Sequence, residues 1–356
     1  MAIWKIDELG EFVTLKRGYD LPQQKRKNGE IPIFSSSGVT GTHNEAMVEA
    51  PGVITGRYGT IGEVFFAETS FWPLNTTLYV ENFHENDEKF VYYFLKTLEW
   101  KKFASASAVP GINRNTVHKE IVRFPDFETQ QKIASVLSAI DKKIAVNKAI
   151  NDNLEQQAVT YFQELYINNA NPMWQIGTIS DLGTVVGGST PSKTKPEYYT
   201  NNGIAWITPK DLSINKSKFI SHGENDITEL GLKNSSATVM PKGTVLFSSR
   251  APIGYIAIAS NEVTTNQGFK SVIPYLEIGT AFVYFFLKHS LPVIESAASG
   301  STFKEISGSA MKNIPAIIPD RSTLDQFNSF CAPIFAQQKI LEDQNYSLAM
   351  LRDSPV

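Results

Sequence analysis

From Phe127 to about Asn168 the chain reads FETQQKIASVLSAIDKKIAVNKAINDNLEQQAVTYFQELYIN, without a Gly or a Pro. Its inward positions, Ile133, Leu137, Ile140, Ile144, Asn147, Asn151, Leu154, Ala158, Tyr161 and Leu165, recur in alternating steps of four and three. That spacing is a heptad repeat, which keeps one stripe of a helix turned toward a partner. At 1.5 Å per residue it predicts one helix of roughly 60 Å, longer than a small domain is wide. A rod of that length cannot cover its own stripe and needs a second helix. Asn147 and Asn151 lie inside the seam, where a polar residue costs stability but fixes register.

A second seam follows near the end of the chain, between about Thr323 and Arg352: Leu324, Phe327, Cys331, Ile334, Gln338, Leu341, Asn345 and Leu348. Pro333 falls within it and removes one helical hydrogen bond, so a local bend is expected there. Cys331, the single cysteine, excludes an intramolecular disulfide and reads as a small buried apolar residue. Asp126, and the pair Ser322-Thr323, stand where they can cap the two helices after Pro-bearing exits.

The two seams belong to a larger repeat. Trp4-Lys-Ile6 with Leu9-Gly10 returns as Trp174-Gln-Ile176 with Leu182-Gly183, and Phe90 to Lys96 returns almost letter for letter as Phe282 to Lys288. Between these anchors Gly52 to Arg57 with Ile61-Gly62 answers Gly243 to Arg250 with Ile253-Gly254, and Asn75 answers Asn266. The chain is a tandem duplication. Each copy opens with short β-rich runs, Gly52 to Thr55, Ile61 to Phe66, Thr244 to Phe247 and Ile253 to Ala259, separated by polar loops. The aromatic segments at Phe90 and Phe282 predict short buried helices packed on those strands.

The second copy starts at Trp174, a few residues beyond the far end of the first helix, and the second helix leaves from that same copy. If the helices pair, they run antiparallel. The expected architecture is α+β: two tandem-repeat domains with mixed sheets, at opposite ends of an antiparallel coiled coil and related by a pseudo-two-fold axis. The expected boundaries are 1–126, 127–168, 169–320 and 321–356.

With 356 residues, 42% of them hydrophobic, the chain can build two cores. No stretch is apolar enough to span a membrane, and the N-terminus lacks a signal peptide, so a cytoplasmic location is expected. The net charge of -3 does not suit a protein that coats nucleic acid alone. Any DNA-binding charge is local or shared with partners.

Enzymatic motifs fail on context. Asn171-Pro172-Met173-Trp174 lacks the second Pro of an amino-methyltransferase motif, and Trp174 is accounted for as the repeat of Trp4. Pro125-Asp126 with Asp141-Lys142-Lys143 has the letters of a metal nuclease, but Asp141 and Lys143 fall on a solvated helix face instead of a strand. Gly187 to Lys193 lacks phosphate-loop spacing, and the five histidines form neither a metal motif nor a triad. No catalytic residue and no metal ligand is expected.

Recognition chemistry remains. In the first copy the loop-like donors are Lys16, Arg17, Ser35, Ser36, Ser37, Arg57, Tyr58, Asn75 and Arg114. In the second they are Gly188, Ser189, Thr190, Lys193, Lys210, Asp211, Ser248, Ser249, Arg250, Asn266, Gln267 and Lys304, with Ser301-Thr302. Such side chains suit phosphates and base edges. Arg57 and Arg250 stand out by recurring beside an Ile-Gly, although an arginine pairing with the core edge fits the same pattern.

GGSTPSK, ITPKDL, GTVLFSSRAPIGY, TTNQGFKS and SGSTFKEIS in the second copy resemble a target recognition domain of type I restriction-modification specificity subunits. The first copy, with its exit FPDFETQQKIASVLSAIDKKI, resembles another such domain and its spacer helix. The resemblance implies a non-catalytic subunit that selects a bipartite DNA target and docks two adenine-N6 methyltransferase subunits, with restriction subunits joining the assembly. S-adenosylmethionine, ATP and Mg²⁺ would belong to those partners. Family members usually extend the second helix through a tail resembling LRDxLLPKLLSG, whereas here the sequence stops at Leu351-Arg352-Asp353-Ser354-Pro355-Val356, which is expected to weaken the far end of the rod or one docking site. Two other readings share much of this pattern: a coiled-coil scaffold for proteins that never touches DNA, and the detached specificity half of a fused restriction-methylation enzyme.

Overall fold

The computed structural model describes residues 4–105, 110–300 and 304–353. Ser301, Thr302 and the tail after Asp353 lie outside the described residues. The chain divides into two compact units, residues 1–143 and 144–356.

In the first unit an antiparallel ribbon pairs Trp4–Glu8 with Ile121–Pro125. A four-stranded antiparallel sheet follows in the order Thr14–Arg17, Thr77–Asn82, Gly52–Gly56, Val64–Ala67. Helix Glu88–Thr97, capped by Asp87 Oδ1 accepting from the Phe90 amide at 2.8 Å, lays Phe90, Val91 and Leu95 on the sheet residues Leu15, Val53, Leu78 and Val80. A smaller sheet places Ile31–Ser35 in the middle, antiparallel to Gly38–His43 on one side and parallel to Trp72–Pro73 on the other. The strand expected from Ile61 begins only at Val64. Gly59 and Gly62 take φ of +75° and +87°, making a turn, and a Cβ on Gly62 would lie 2.7 Å from that of Trp100.

In the second unit the ribbon pairs Gln175–Thr178 with Pro315–Ile318. The main sheet runs Gly183–Gly187, Lys270–Pro274, Val245–Ser249, Ile253–Ala259 and Phe219–Ile220. Its first four strands have the order of the sheet in the first unit. Helix Thr280–His289 is buried from Ala281 to Leu287, on every face, because the sheet covers one side and the two long helices much of the rest. Four shorter strands, Tyr199–Thr200, Asn225–Ile227, Ile204–Ile207 and Thr264–Thr265, form a second sheet.

Strand pairing corrects three of the expected correspondences. The Leu9 amide donates to Glu120 O and the Ile179 amide to Ile314 O, so Leu9-Gly10 matches Ile179-Ser180, not Leu182-Gly183. Arg57 N donates to Thr76 O and Ser249 N to Gly268 O, while Tyr58 bridges Gly111 and Arg250 bridges Glu305. Arg57 is therefore the counterpart of Ser249, and Tyr58 of Arg250. The same register makes Gln267, not Asn266, the counterpart of Asn75. One-residue slips of this kind are invisible in letters but reverse the face a side chain takes. Between the matched positions Gly18 and Gly188 on one side and the matched central strands on the other, the second unit holds a longer segment, which carries most of its second sheet.

The first long helix spans Phe127–Phe162 and widens to π-helical geometry over Gln163–Asn168. Asp126 caps it, Oδ1 accepting from the Thr129 amide at 2.9 Å. The second spans Arg321–Asp353. Its cap is Asp320, which accepts from the Thr323 amide at 2.9 Å; Ser322 and Thr323 are already inside the helix. The helix runs unbroken through Pro333, and Ser329, whose carbonyl loses its donor there, sits on an exposed face.

Within the second unit the helices pair antiparallel. Asn147 Nδ2 donates to Asn345 Oδ1 at 2.9 Å, Gln338 Nε2 to Asn151 O at 3.1 Å, and the Tyr161 ring lies 4.3 Å from that of Phe330. Ile144, Asn147, Ala158, Leu324, Phe327, Cys331, Ile334, Gln338 and Leu341 are buried, and Asn151, Leu154, Tyr161, Leu165, Asn345 and Leu348 are half-buried; on the part of the first helix that belongs to the first unit, Ile140 is buried and Ile133 and Leu137 are half-buried. Burial pushes the Cys331 thiol up to about 12, which keeps it protonated and inert. Ala158, Phe162 and Tyr166 form a second stripe on the first helix, packed against Phe282, Phe285 and Phe286.

A charged cluster sits beside this seam. The Lys218 ammonium donates to Glu155 and, at 2.6 Å, to Gln338 Oε1, and Lys288 meets Glu155 at 2.6 Å. Glu342 accepts from the amides of Lys218 and Phe219 at 2.8 and 3.1 Å. Among the described residues no helix is long and apolar enough to cross a membrane.

Candidate nucleic-acid interface

In each unit the strand order carries loops of like position to one end of the main sheet. In the first, Arg17 ends one strand, Asn75 lies in the turn before Thr77, and Arg57-Tyr58 follows Gly56. The pairings Arg17 with Leu78 and Gly56 with Thr77 set these three loops side by side. The Ser35–Ser37 turn joins them: a Cβ on Gly59 would lie 3.4 Å from Ser36 Oγ. Arg114 starts the short helix after Ile112, whose amide donates to Arg57 O.

Several of these side chains already have protein partners. Arg57 Nε donates to Ile112 O at 3.1 Å and its guanidinium lies 4.5 Å from the Tyr58 ring centre. Arg17 reaches Asp20 at 3.6 Å, and Asn75 Nδ2 donates to the same carboxylate. Ser35 Oγ bonds Ser37 Oγ at 3.0 Å within its turn. Lys16 is paired across strands with Glu81 at 2.5 Å, on the sheet instead of in the loops, and that hydrogen bond raises its pKa. Arg114 is exposed.

In the second unit the same sheet end opens into a cleft of about 500 Å³. Thr190, Lys193, Lys210, Arg250, Asn266 and Gln267 line it, so six of the expected residues converge there. Gly188 lets its loop approach the backbone that carries Asn266 and Gln267: a Cβ at that position would lie 2.0 Å from Asn266 O and 2.4 Å from Thr265 O. Ser189 accepts at its carbonyl from Trp206 Nε1 at 3.0 Å, and Thr190 bonds Gln267. Asn266 Oδ1 accepts from the Gly268 amide at 2.8 Å, which fixes the turn carrying Gln267. Arg250 pairs with Glu305 at 3.3 Å, and Lys304, one residue away from Glu305, is exposed.

Three expected contacts are corrected. Ser248 and Ser249 are fully buried: Ser248 Oγ donates to Pro252 O and accepts from the Tyr255 amide, both at 2.8 Å, closing the turn behind Arg250. Asp211 is buried as a cap, Oδ2 accepting from the Thr208 amide at 2.7 Å and its hydroxyl at 2.6 Å, and Oδ1 from the Glu224 amide at 2.8 Å. None of the three presents a side chain to a ligand. Asp141, expected on a solvated face, is half-buried and accepts from the Tyr93 hydroxyl at 2.7 Å.

Trp206, Thr208, Pro209, Glu224 and Asn225 also line the cleft and were not singled out in the sequence. The ITPKDL segment contained a signal for two of them, since Thr-Pro before Lys-Asp is a capped helix start. Glu224 carried none. Among the described residues no three His, Cys, Asp or Glu side chains are grouped to hold a metal ion.

Comparison with known proteins fits this geometry. The profile of the family described as type I restriction modification DNA specificity domain matches residues 1–156 and again 171–343. The type I restriction enzyme MjaIX specificity subunit of Methanocaldococcus jannaschii is 43% identical over 162 residues, which is 45% of this chain but 37% of that protein. The HindI specificity subunit of Haemophilus influenzae is 23% identical over 336 residues, covering 72% of each chain. The crystal structure of the type I system S subunit from M. genitalium superposes with a TM-score of 0.66 over 99% of this chain and 94% of its own, at 16% identity, a likeness of fold. Two family matches in one chain coincide with the duplicated sheets, and the chain belongs to the type I restriction-modification DNA specificity family.

Proposed function

We propose that this chain is the specificity subunit of a type I restriction-modification complex, each unit reading one half of a bipartite DNA target. The observation that carries the proposal is the gathering of donor-bearing loops at the same sheet end of both units, with an open polar cleft in the second. Because the counterparts Tyr58 and Arg250 differ, as do the segments between the matched strands, the half-sites are unlike. The exposed stripes of the long helices, where Val136, Val146, Ile340 and Tyr346 lie, suit docking of two methyltransferase subunits, and restriction subunits join through that assembly. S-adenosylmethionine, ATP and Mg²⁺ act on those partners, and this chain contributes selection without catalysis.

With a net charge of -3, phosphate binding by the chain is local. Lys193, exposed at the cleft, is assigned to a phosphate. In the complex reconstituted with methyltransferase subunits, Lys193→Ala is expected to weaken binding to all duplexes alike and to reduce the slope of log K against log salt by about 1. Binding independent of salt in the unaltered complex would contradict DNA reading and favour a protein scaffold.

A further inference from the structure

We propose that Lys210 and Glu224 together read one base pair of the half-site bound by the second unit. Lys210 donates to O6 and N7 of a guanine, and Glu224 accepts from the N4 amino group of the paired cytosine. This rests on the DNA-reading assignment above.

Lys210 Nζ stands 2.6 Å from Glu224 Oε2, and the two side chains are 62% and 61% exposed at the cleft. Each keeps hydrogen-bonding capacity beyond the pair: an ammonium has three donors and a carboxylate several lone pairs. A donor and an acceptor held at hydrogen-bonding distance complement an acceptor and a donor held likewise. In the major groove a G·C pair presents that pattern, guanine N7 and O6 beside the cytosine amino group. Inverting the pair to C·G turns the amino group toward the ammonium and O6 toward the carboxylate, and both contacts become repulsive. Replacing G·C by A·T puts the N6 donor where Lys210 needs an acceptor.

The pair is pre-positioned by buried structure. Lys210 lies in the first turn of helix Pro209–Ile214, capped by Thr208 and Asp211, and the other Asp211 oxygen holds the Glu224 amide at 2.8 Å. Asp211 is thus a positioning residue for both readers. Gly223 permits the approach: a Cβ there would lie 2.6 Å from Trp206 O and 2.8 Å from Asp211 Oδ2. Ion pairing this exposed contributes little to folding, so stability does not account for the arrangement. Both residues lie in the longer segment of the second unit, which limits the effect to one half-site.

The test selects bound duplexes from a random library with the reconstituted complex, comparing the native chain, the exchange K210E/E224K and E224Q. The native complex is expected to require guanine at one position of one half-site. The exchange, which retains an ion pair, is expected to select cytosine there, and E224Q to relax that position about tenfold while every other position stays fixed. An unchanged motif with the exchange, or an unchanged preference with E224Q, would overturn the base-pair assignment and leave DNA reading standing. No motif with the native complex would instead remove DNA reading itself.

Discussion

Glu155→Ala is expected to lower the stability of the second unit by about 3–5 kcal/mol, the cost of stranding a buried charge. Lys218 is 6% exposed, with its ammonium 4.2 Å from the Phe335 ring centre and 4.9 Å from that of Tyr284. Burial pushes its pKa down, and Glu155, which also accepts its hydrogen bond, is the main charge that opposes this, with a smaller contribution from Glu342. For Glu155, burial raises the pKa, but Lys218 and Lys288 outweigh it and hold the carboxyl below its ordinary value. A group with a depressed folded pKa stabilises the fold above its unfolded pKa and loses that contribution as pH falls through the folded value. The stability difference between the native chain and Glu155→Gln should therefore be full at neutral pH and shrink on acidification below about pH 4. Urea unfolding followed by tryptophan fluorescence checks both effects. The double replacement of Glu155 by Leu and Lys218 by Met should recover most of the loss, since a buried pair can often be replaced by apolar residues without penalty.

Phe327→Ala should cost the second unit a similar amount, about 3–5 kcal/mol, by opening a cavity where the second long helix meets the aromatic core. Phe327 is 2% exposed, and its ring centre lies 5.6 Å from Phe162, 5.8 Å from Phe285 and 6.1 Å from Tyr161. Tyr346 on the same helix is 70% exposed, and Tyr346→Ala should change stability by no more than about 0.5 kcal/mol. Comparable losses from the two would mean that the heptad stripe is not what holds the second helix.

The long helices were legible because heptad spacing is a strong periodic signal, and their pairing direction followed from chain connectivity. Asn147 hydrogen-bonds Asn345, so two polar positions of the two seams meet each other. The duplication was legible in its anchors but not in its fine register. Arg57 and Arg250 share a residue type, which drew them together, whereas backbone pairing decides equivalence and places Tyr58 opposite Arg250. The site was legible by composition and not by geometry. A Ser-Ser before an Arg reads as a loop donor, yet both serines end a strand, Val245–Ser249, that is buried on both faces. Asp211 reads equally well as a base contact or a cap, and only its distances to Thr208 and Glu224 decide. Glu224 was out of reach, because a lone acidic residue in a polar stretch gains meaning only from the lysine that folding sets 2.6 Å away.

Selection of duplexes from a random library by the complex reconstituted with the proposed methyltransferase partners tests the central claim most directly. Two short, unlike half-sites separated by several unread bases are expected, with enrichment that weakens as salt rises. A single contiguous motif, two identical half-sites, or no enriched sequence would contradict the assignment of one reader to each unit.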